Sequence, residues 1–206
     1  MEIIIHENGP FLVNTYLVIN KKNKKGFIID PGHDLDLLIS KVKKNKIDLE
    51  AIVATHGHID HVEGVKKIKD EFNLDFYLND LDKELLSLIP TQARMFGVPD
   101  PGIPVANKNL PTSGKIKIAD LELELLHTPG HSKGSISLKI DQALFSGDAL
   151  FNFSIGRTDL PGGDYAELIK AIKTKLFVLP EDTKVYPGHG PTTTIGREKA
   201  MNPFFR

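Results

Sequence analysis

The stretch Ala51-Ile52-Val53-Ala54-Thr55-His56-Gly57-His58-Ile59-Asp60-His61-Val62 decides how this chain is read. An apolar run of strand type ends in four metal-capable side chains within six residues. On an extended backbone, residues two apart point the same way, so the His56 and His58 imidazoles aim at one point. Val62, Val65, Ile68 and Phe72 then repeat at helical spacing, which places Asp60 and His61 at a helix start facing a neighbouring point. One metal ion is expected there, with room for a second.

Two ligands hold no metal usefully, so the rest of the chain has to supply more. It does so three times. His131 closes His127-Thr128-Pro129-Gly130-His131 after the strand-like Leu121 to Leu126. Asp148 follows Ala143-Leu144-Phe145-Ser146-Gly147, and His189 follows Lys184-Val185-Tyr186-Pro187-Gly188. Strand, glycine-containing loop, then His or Asp is the pattern expected when a sheet presents its loops at one edge to build a site.

This pattern, His-x-His-x-Asp-His followed by a distant His, Asp and His, resembles the metallo-β-lactamase superfamily over nearly the whole chain. Ser146-Gly147-Asp148, Gly156-Arg157-Thr158-Asp159 with Leu160-Pro161-Gly162-Gly163, and Pro187-Gly188-His189-Gly190 resemble its glyoxalase II-like, hydroxyacylglutathione hydrolase-like branch. The resemblance implies that His56, His58 and His131 hold a first metal and that Asp60, His61 and His189 hold a second, with Asp148 bridging. It further implies two divalent ions, zinc foremost with iron or manganese also suited, and cleavage of an S-acyl thioester such as S-(2-hydroxyacyl)glutathione by a metal-bridged hydroxide. Asp60 would orient that hydroxide or carry a proton. Larger glyoxalase II enzymes add a C-terminal helical domain that helps hold glutathione, whereas this chain ends at Arg206 soon after His189. Their basic and aromatic thiol-binding residues are replaced by Phe151, Phe153 and Arg157, of which Arg157 either pairs with a substrate carboxylate or makes a structural salt bridge to Asp159 or elsewhere.

The Gly-Arg-Thr-Asp segment also resembles the persulfide dioxygenase branch, which implies an alternative. A single iron would then sit on His56, His131 and Asp148. A third possibility, a non-catalytic metal-binding protein, finds no support, because an intact ligand set without cysteine predicts open coordination positions.

Asp30, in Ile29-Asp30-Pro31-Gly32, ends an apolar strand at the same edge and is read either as orienting a ligand imidazole through a hydrogen bond or as simply making the Asp-Pro-Gly turn. Thr55 and Thr128 have similar access. His6, His33 and His127 are read as packing or surface residues.

A chain of 206 residues with 40% hydrophobic content can bury one substantial core, so a single domain over 1–206 is expected. With 26 basic and 27 acidic residues the charges nearly cancel, which argues against a nucleic-acid surface. Lys21 to Lys25 reads as a hairpin turn, and Lys41 to Lys44 as a solvated helix face. Cysteine is absent, so disulfides, a catalytic thiol and thiolate ligands are excluded. The apolar run at the N-terminus is too short for a secretory signal and no stretch approaches a membrane span, so a cytoplasmic protein with a small-molecule partner is expected.

Strands are expected near 2–6, 11–19, 26–29, 74–78, 115–118, 121–126, 135–140 and 143–145. Helices are expected at 34–45 and 80–89, and from Asp164, where Asp164 and Glu167 resemble a capping box ahead of buried Ile169, Ile172 and Leu176. Pro90 to Pro111 carries five prolines and is expected to be an irregular excursion, of a length that is often functional. The pattern alone licenses α/β or α+β. The resemblance narrows this to a four-layer αββα sandwich.

Overall fold

The computed structural model describes residues 1–206. Strands β1 (Glu2–Asn8), β2 (Val13–Asn20) and β3 (Lys25–Ile29) form an antiparallel meander turning through the lysine-rich hairpin. After helix α1 (Asp36–Asn45), strand β4 (Asp48–Val53) pairs parallel to β3. Helices α2 (Ile59–Val62) and α3 (Val65–Phe72) lead to β5 (Asp75–Leu78), and α4 (Lys83–Ser87) and α5 (Ile89–Phe96) lead to the short edge strand β6 (Lys108–Asn109). The six strands lie in the first sheet in chain order.

The second sheet takes β7 (Ser113–Ile118), β8 (Leu121–His127), β9 (Ile136–Ile140) and β10 (Ala143–Gly147) as an antiparallel run. A hairpin of β11 (Leu150–Phe151) and β12 (Ser154–Ile155) follows, then helix α6 (Tyr165–Ala171). Strand β13 (Lys184–Pro187) joins parallel to β10, with β14 (Thr193–Thr194) outside it, and α7 (Ile195–Met201) closes the chain's regular structure. The sheet order is β14-β13-β10-β9-β8-β7.

Alternation along the strands divides the apolar residues among three cores. From β2, β3 and β4, Tyr16, Val18, Phe27, Ile29, Ala51 and Val53 face inward and meet Leu123, Leu125, Ile136, Leu138 and Phe145 of the other sheet. Their neighbours Leu17, Ile19, Ile28 and Ile52 face outward under Leu38, Val42 and Ile68 of α1 and α3. On the far side Leu144 and Val185 pack beneath Leu168, Ile172, Leu176 and Ile195. All eight residues of β2 are buried, as a strand covered on both faces requires. The architecture is the expected αββα sandwich.

Several boundaries differ from expectation for identifiable reasons. The helix after the histidine cluster is split, because Gly64 N–H leaves the helical ladder to donate to Pro31 O at 2.9 Å. The excursion after Pro90 is helical over its first part. Pro90 sits in the first turn of α5, where its missing N–H has no intrahelical partner to lose, and Gly97 at φ 67° ends the helix. Asp164 caps α6 by accepting from Glu167 N at 2.9 Å, but its own N–H donates to Gly130 O, so the reciprocal half of the box is unused. Leu168 takes the fully buried place expected for Ile169, which is half-buried.

Candidate metal centre

Every strand end that carries a ligand candidate faces the same edge of the sandwich. The β4–α2 segment brings His56, His58, Asp60 and His61; the β8–β9, β10–β11 and β13–β14 connections bring His131, Asp148 and His189. Three overlapping groups of donor atoms result, each within 4.8 Å: His56, His58 and His131; His56, His61 and Asp148; and Asp60, His61 and His189. All seven expected residues meet in one place. His6, His33 and His127 lie outside it, bonded to Asp34 O, Glu63 and Lys133 O.

Backbone and side-chain acceptors decide which nitrogen each imidazole presents. His131 donates from Nδ1 to Arg157 O at 2.7 Å, and His189 from Nδ1 to Phe11 O at 3.0 Å. Thr55 Oγ1 donates to Asp30 Oδ2 at 2.8 Å and so accepts from His56 Nδ1 at 3.1 Å. His61 Nδ1 faces Asp30 Oδ2 at 3.0 Å, at an angle too oblique for a regular hydrogen bond. These four rings therefore turn Nε2 inward, and His58 alone presents Nδ1. Thr128 takes no part; its hydroxyl bonds Ser137.

The inward atoms crowd together without a carboxylate among the first three. His58 Nδ1 and His131 Nε2 are 2.8 Å apart, and His131 Nε2 and His56 Nε2 3.1 Å apart. With Nδ1 of His56 and His131 committed to Thr55 and Arg157 O, their Nε2 lone pairs face and repel each other, so the group fits a cation of imidazole-binding type. Asp148 spans both halves, with Oδ1 3.3 Å from His61 Nε2 and Oδ2 3.5 Å from both His131 Nε2 and His189 Nε2. Its Oδ1 is buried without a hydrogen bond, an acceptor that a cation would satisfy. Asp60 Oδ2 lies 3.2 Å from His189 Nε2 and 3.7 Å from His61 Nε2. The donor set suits a dinuclear metal centre.

Electrostatics separates the two halves. Burial, with neighbouring imidazoles adding to it, holds His58 down to about 3 and His56 well below the ordinary histidine value. Burial also works against protonating His61 and His189, but it is outweighed there. Asp148, Asp60 and Asp30 carry His61 well above its usual value, and Asp60 with Asp148 raises His189. Burial alone would raise Asp60 and Asp148, yet the surrounding histidines, His61 first, bring both below the usual carboxylate value.

Two supports were not legible in the sequence. Asp82, fully buried, accepts from Gly57 N at 3.0 Å and Ser132 Oγ at 2.7 Å through Oδ2, and from Gly134 N at 2.6 Å through Oδ1. One carboxylate thus ties the loop of His56 and His58 to the loop of His131. Gly188 gives room on the other side, since a Cβ there would collide with Asp148 Oδ1 and lie 2.7 Å from His61 Cε1.

The centre forms the floor of a cavity of about 370 Å³. Its walls are mainly apolar, with Phe11 and Phe96 in edge-to-face contact at 5.2 Å and with Phe151, Ile155 and Leu160. Gln92 and Arg157 are its polar residues outside the metal set. The Arg157 guanidinium is occupied by Asp159 through two hydrogen bonds of 2.8 and 2.7 Å. No helix is long and apolar enough to cross a membrane.

The profile of the metallo-β-lactamase superfamily matches residues 8–189, and the chain belongs to that superfamily. It is 40% identical over 185 residues to the hydroxyacylglutathione hydrolase GloC of Haemophilus influenzae, covering 88% of this chain and 87% of that protein. Among solved structures it superimposes on BLEG-1, a B3 metallo-β-lactamase, with TM-score 0.93, 38% identity and 99% of both chains covered. TTHA1623 in a di-iron-bound form gives TM-score 0.89 and 35% identity over 98% of this chain and 99% of that one. The class is a metallo-hydrolase fold with a histidine-rich site suited to two metal ions.

Proposed function

We propose that this chain is a metal-dependent thioester hydrolase acting, as one domain over residues 1–206, on S-acyl thiols such as S-(2-hydroxyacyl)glutathione. The observation that carries this reading is Asp148, whose two oxygens lie against His61, His131 and His189 of both ligand groups on the floor of a cavity. The likeness to GloC supports the substrate class. The Leu160-Pro161-Gly162-Gly163 continuation and the adjoining Phe-rich stretch, rather than the ligand inventory, favour the hydrolase over a dioxygenase with one iron on His56, His131 and Asp148. Zinc, iron and manganese all suit the donors, and TTHA1623 has been seen with two irons.

His56, His58 and His131 would hold one ion, Asp60, His61 and His189 the other, and Asp148 both. Two such ions, when bound, would supply a water nucleophile at neutral pH and a Lewis acid for the thioester carbonyl. Asp30 and Thr55 keep Nε2 of His61 and His56 turned inward. Asp60, at the cavity floor, offers a carboxylate oxygen to orient the attacking water and to take its proton. The departing thiolate is stable enough to leave without a dedicated general acid. Apolar walls keep competing water from the reacting carbon.

A second reading rests on BLEG-1, whose likeness extends over the whole chain. The same floor would then open a β-lactam amide. The deciding experiment offers S-lactoylglutathione and a chromogenic cephalosporin to protein stripped of metal and reloaded with zinc, iron or manganese. Metal-dependent thioester turnover that disappears in Asp60→Ala supports the hydrolase reading. Cephalosporin cleavage without thioester cleavage replaces it.

A further inference from the structure

Gln92 is the polar residue of the cavity that the metal centre does not use and no neighbour neutralises. It stands in the helix α5 that replaces the first part of the proline-rich excursion, one turn before the wall residue Phe96. Its Oε1 accepts from the backbone N–H of Ile59, between the ligands His58 and Asp60, at 3.0 Å. An N–H can face only the oxygen of the amide, so this bond settles which way the group is turned. Nε2, with two donor hydrogens, is left without a protein partner beside the ligand loop.

We propose that Gln92 is the specificity residue for the acyl group, donating from Nε2 to the 2-hydroxyl of a 2-hydroxyacyl thioester; this rests on the hydrolase reading above. With its oxygen held by Ile59 N between His58 and Asp60, and its side chain on the same cavity wall as His58, Asp60 and His131, the amide stands beside the place where the reacting carbon would sit. On the thiol side of a thioester the first atom after sulfur is ordinarily a methylene carbon, which accepts nothing. The acyl side can carry an oxygen on the α-carbon, one bond from the carbonyl, and the carbonyl oxygen itself is the atom the cations would polarise. A neutral amide also matches a neutral hydroxyl. Arg157, the only Lys or Arg on the cavity wall, has its Nε and Nη2 committed to Asp159. A wall that is otherwise Phe11, Phe96, Phe151, Ile155 and Leu160 makes a lone donor discriminating, because a substrate lacking the hydroxyl leaves it unpaired.

The test compares S-lactoylglutathione with S-propionylglutathione, which differ only in that hydroxyl, on the metal-loaded wild type, Gln92→Glu and Gln92→Met. Glu keeps an acceptor for Ile59 N–H but loses both donors; Met loses both functions at similar volume. The readout is the ratio of kcat/KM for the two substrates within one preparation, which metal loss or partial misfolding lowers equally for both. The wild type should prefer the lactoyl ester by about tenfold, and the ratio should fall to about one in both variants. A wild-type ratio near one, or a tenfold ratio that survives in Gln92→Met, overturns the assignment and leaves the hydrolase reading standing. An equal fall for both substrates in the variants also overturns it, since that marks a role at the carbonyl or in the loop. Absence of turnover of either ester by the wild type removes the hydrolase reading and this inference with it.

Discussion

His58 Nδ1 and His131 Nε2 stand 2.8 Å apart across the gap between two loops separated by more than seventy residues of chain. No acid lies between them to hold a proton, and burial keeps His58 in its neutral form. A neutral His58 can donate from Nδ1 to His131 Nε2, but His56 Nε2, 3.1 Å from the same nitrogen and with its own Nδ1 committed to Thr55, then faces it lone pair to lone pair, and a cation among the three relieves that repulsion.

Metal removal should lower thermal stability markedly. A ligand present at about 1,000 times its Kd and binding only the folded state contributes about 4 kcal/mol. Chelator-treated protein is expected to melt several degrees below protein reloaded with zinc, manganese or iron. Superimposable melting curves would show that the cluster binds none of them.

The two halves should lose metal at different pH. A ligand imidazole must be deprotonated to bind. His56 and His58 are held below the usual histidine value, so protons compete weakly for them. His61 and His189 are raised, so protons compete there already near neutrality, and the competition strengthens as pH falls. Metal content after equilibration at falling pH is expected to drop from two per chain to one before reaching zero. Simultaneous loss of both ions would contradict the separation.

Gly188→Ala should damage the centre more than the fold. The added methyl would collide with Asp148 Oδ1 and lie 2.7 Å from His61 Cε1, pushing apart the carboxylate and imidazole that face each other there. We expect circular dichroism close to wild type, metal content below two per chain and hydrolysis reduced about 10- to 100-fold, in line with substitutions that disturb the groups orienting metal ligands. Full metal occupancy in the variant would refute this.

Asp82→Asn should be costly despite its shape. All three groups facing the carboxylate are donors, so an amide nitrogen must confront Gly134 N–H or the Gly57 N–H and Ser132 hydroxyl. Leaving buried donors unpaired costs about 1–3 kcal/mol each. Denaturant unfolding should show a loss of at least that size, together with weaker metal binding at His56, His58 and His131. An unchanged midpoint would mean that the two loops are held by something else.

The ligand candidates were legible because their chemistry is local. His56-x-His58 on extended backbone, and glycine-flanked His131, Asp148 and His189 after apolar runs, announce themselves one segment at a time. The strands were legible for the same reason, through alternation. The start of α5 was hidden because Pro90 reads as a breaker unless it falls in a first turn, where the lost N–H does no harm. The break between α2 and α3 was hidden because its cause, Pro31 O accepting from Gly64 N, lies 33 residues away in the chain (64 − 31). Asp82 sits in a polar stretch, Asn79-Asp80-Leu81-Asp82, where nothing sets it apart from Asp80.

By itself the sequence determined the class of fold, the seven side chains able to meet a metal, and the absence of a cysteine thiol from the chain, because periodicity and residue type act over a few neighbours. Only the tertiary structure decided which nitrogen each histidine presents, which acid ties the ligand loops together, and that Arg157 is occupied while Gln92 has free donors. Those outcomes depend on hydrogen-bond partners that the folded chain brings together from distant segments, and no local pattern encodes which partner arrives.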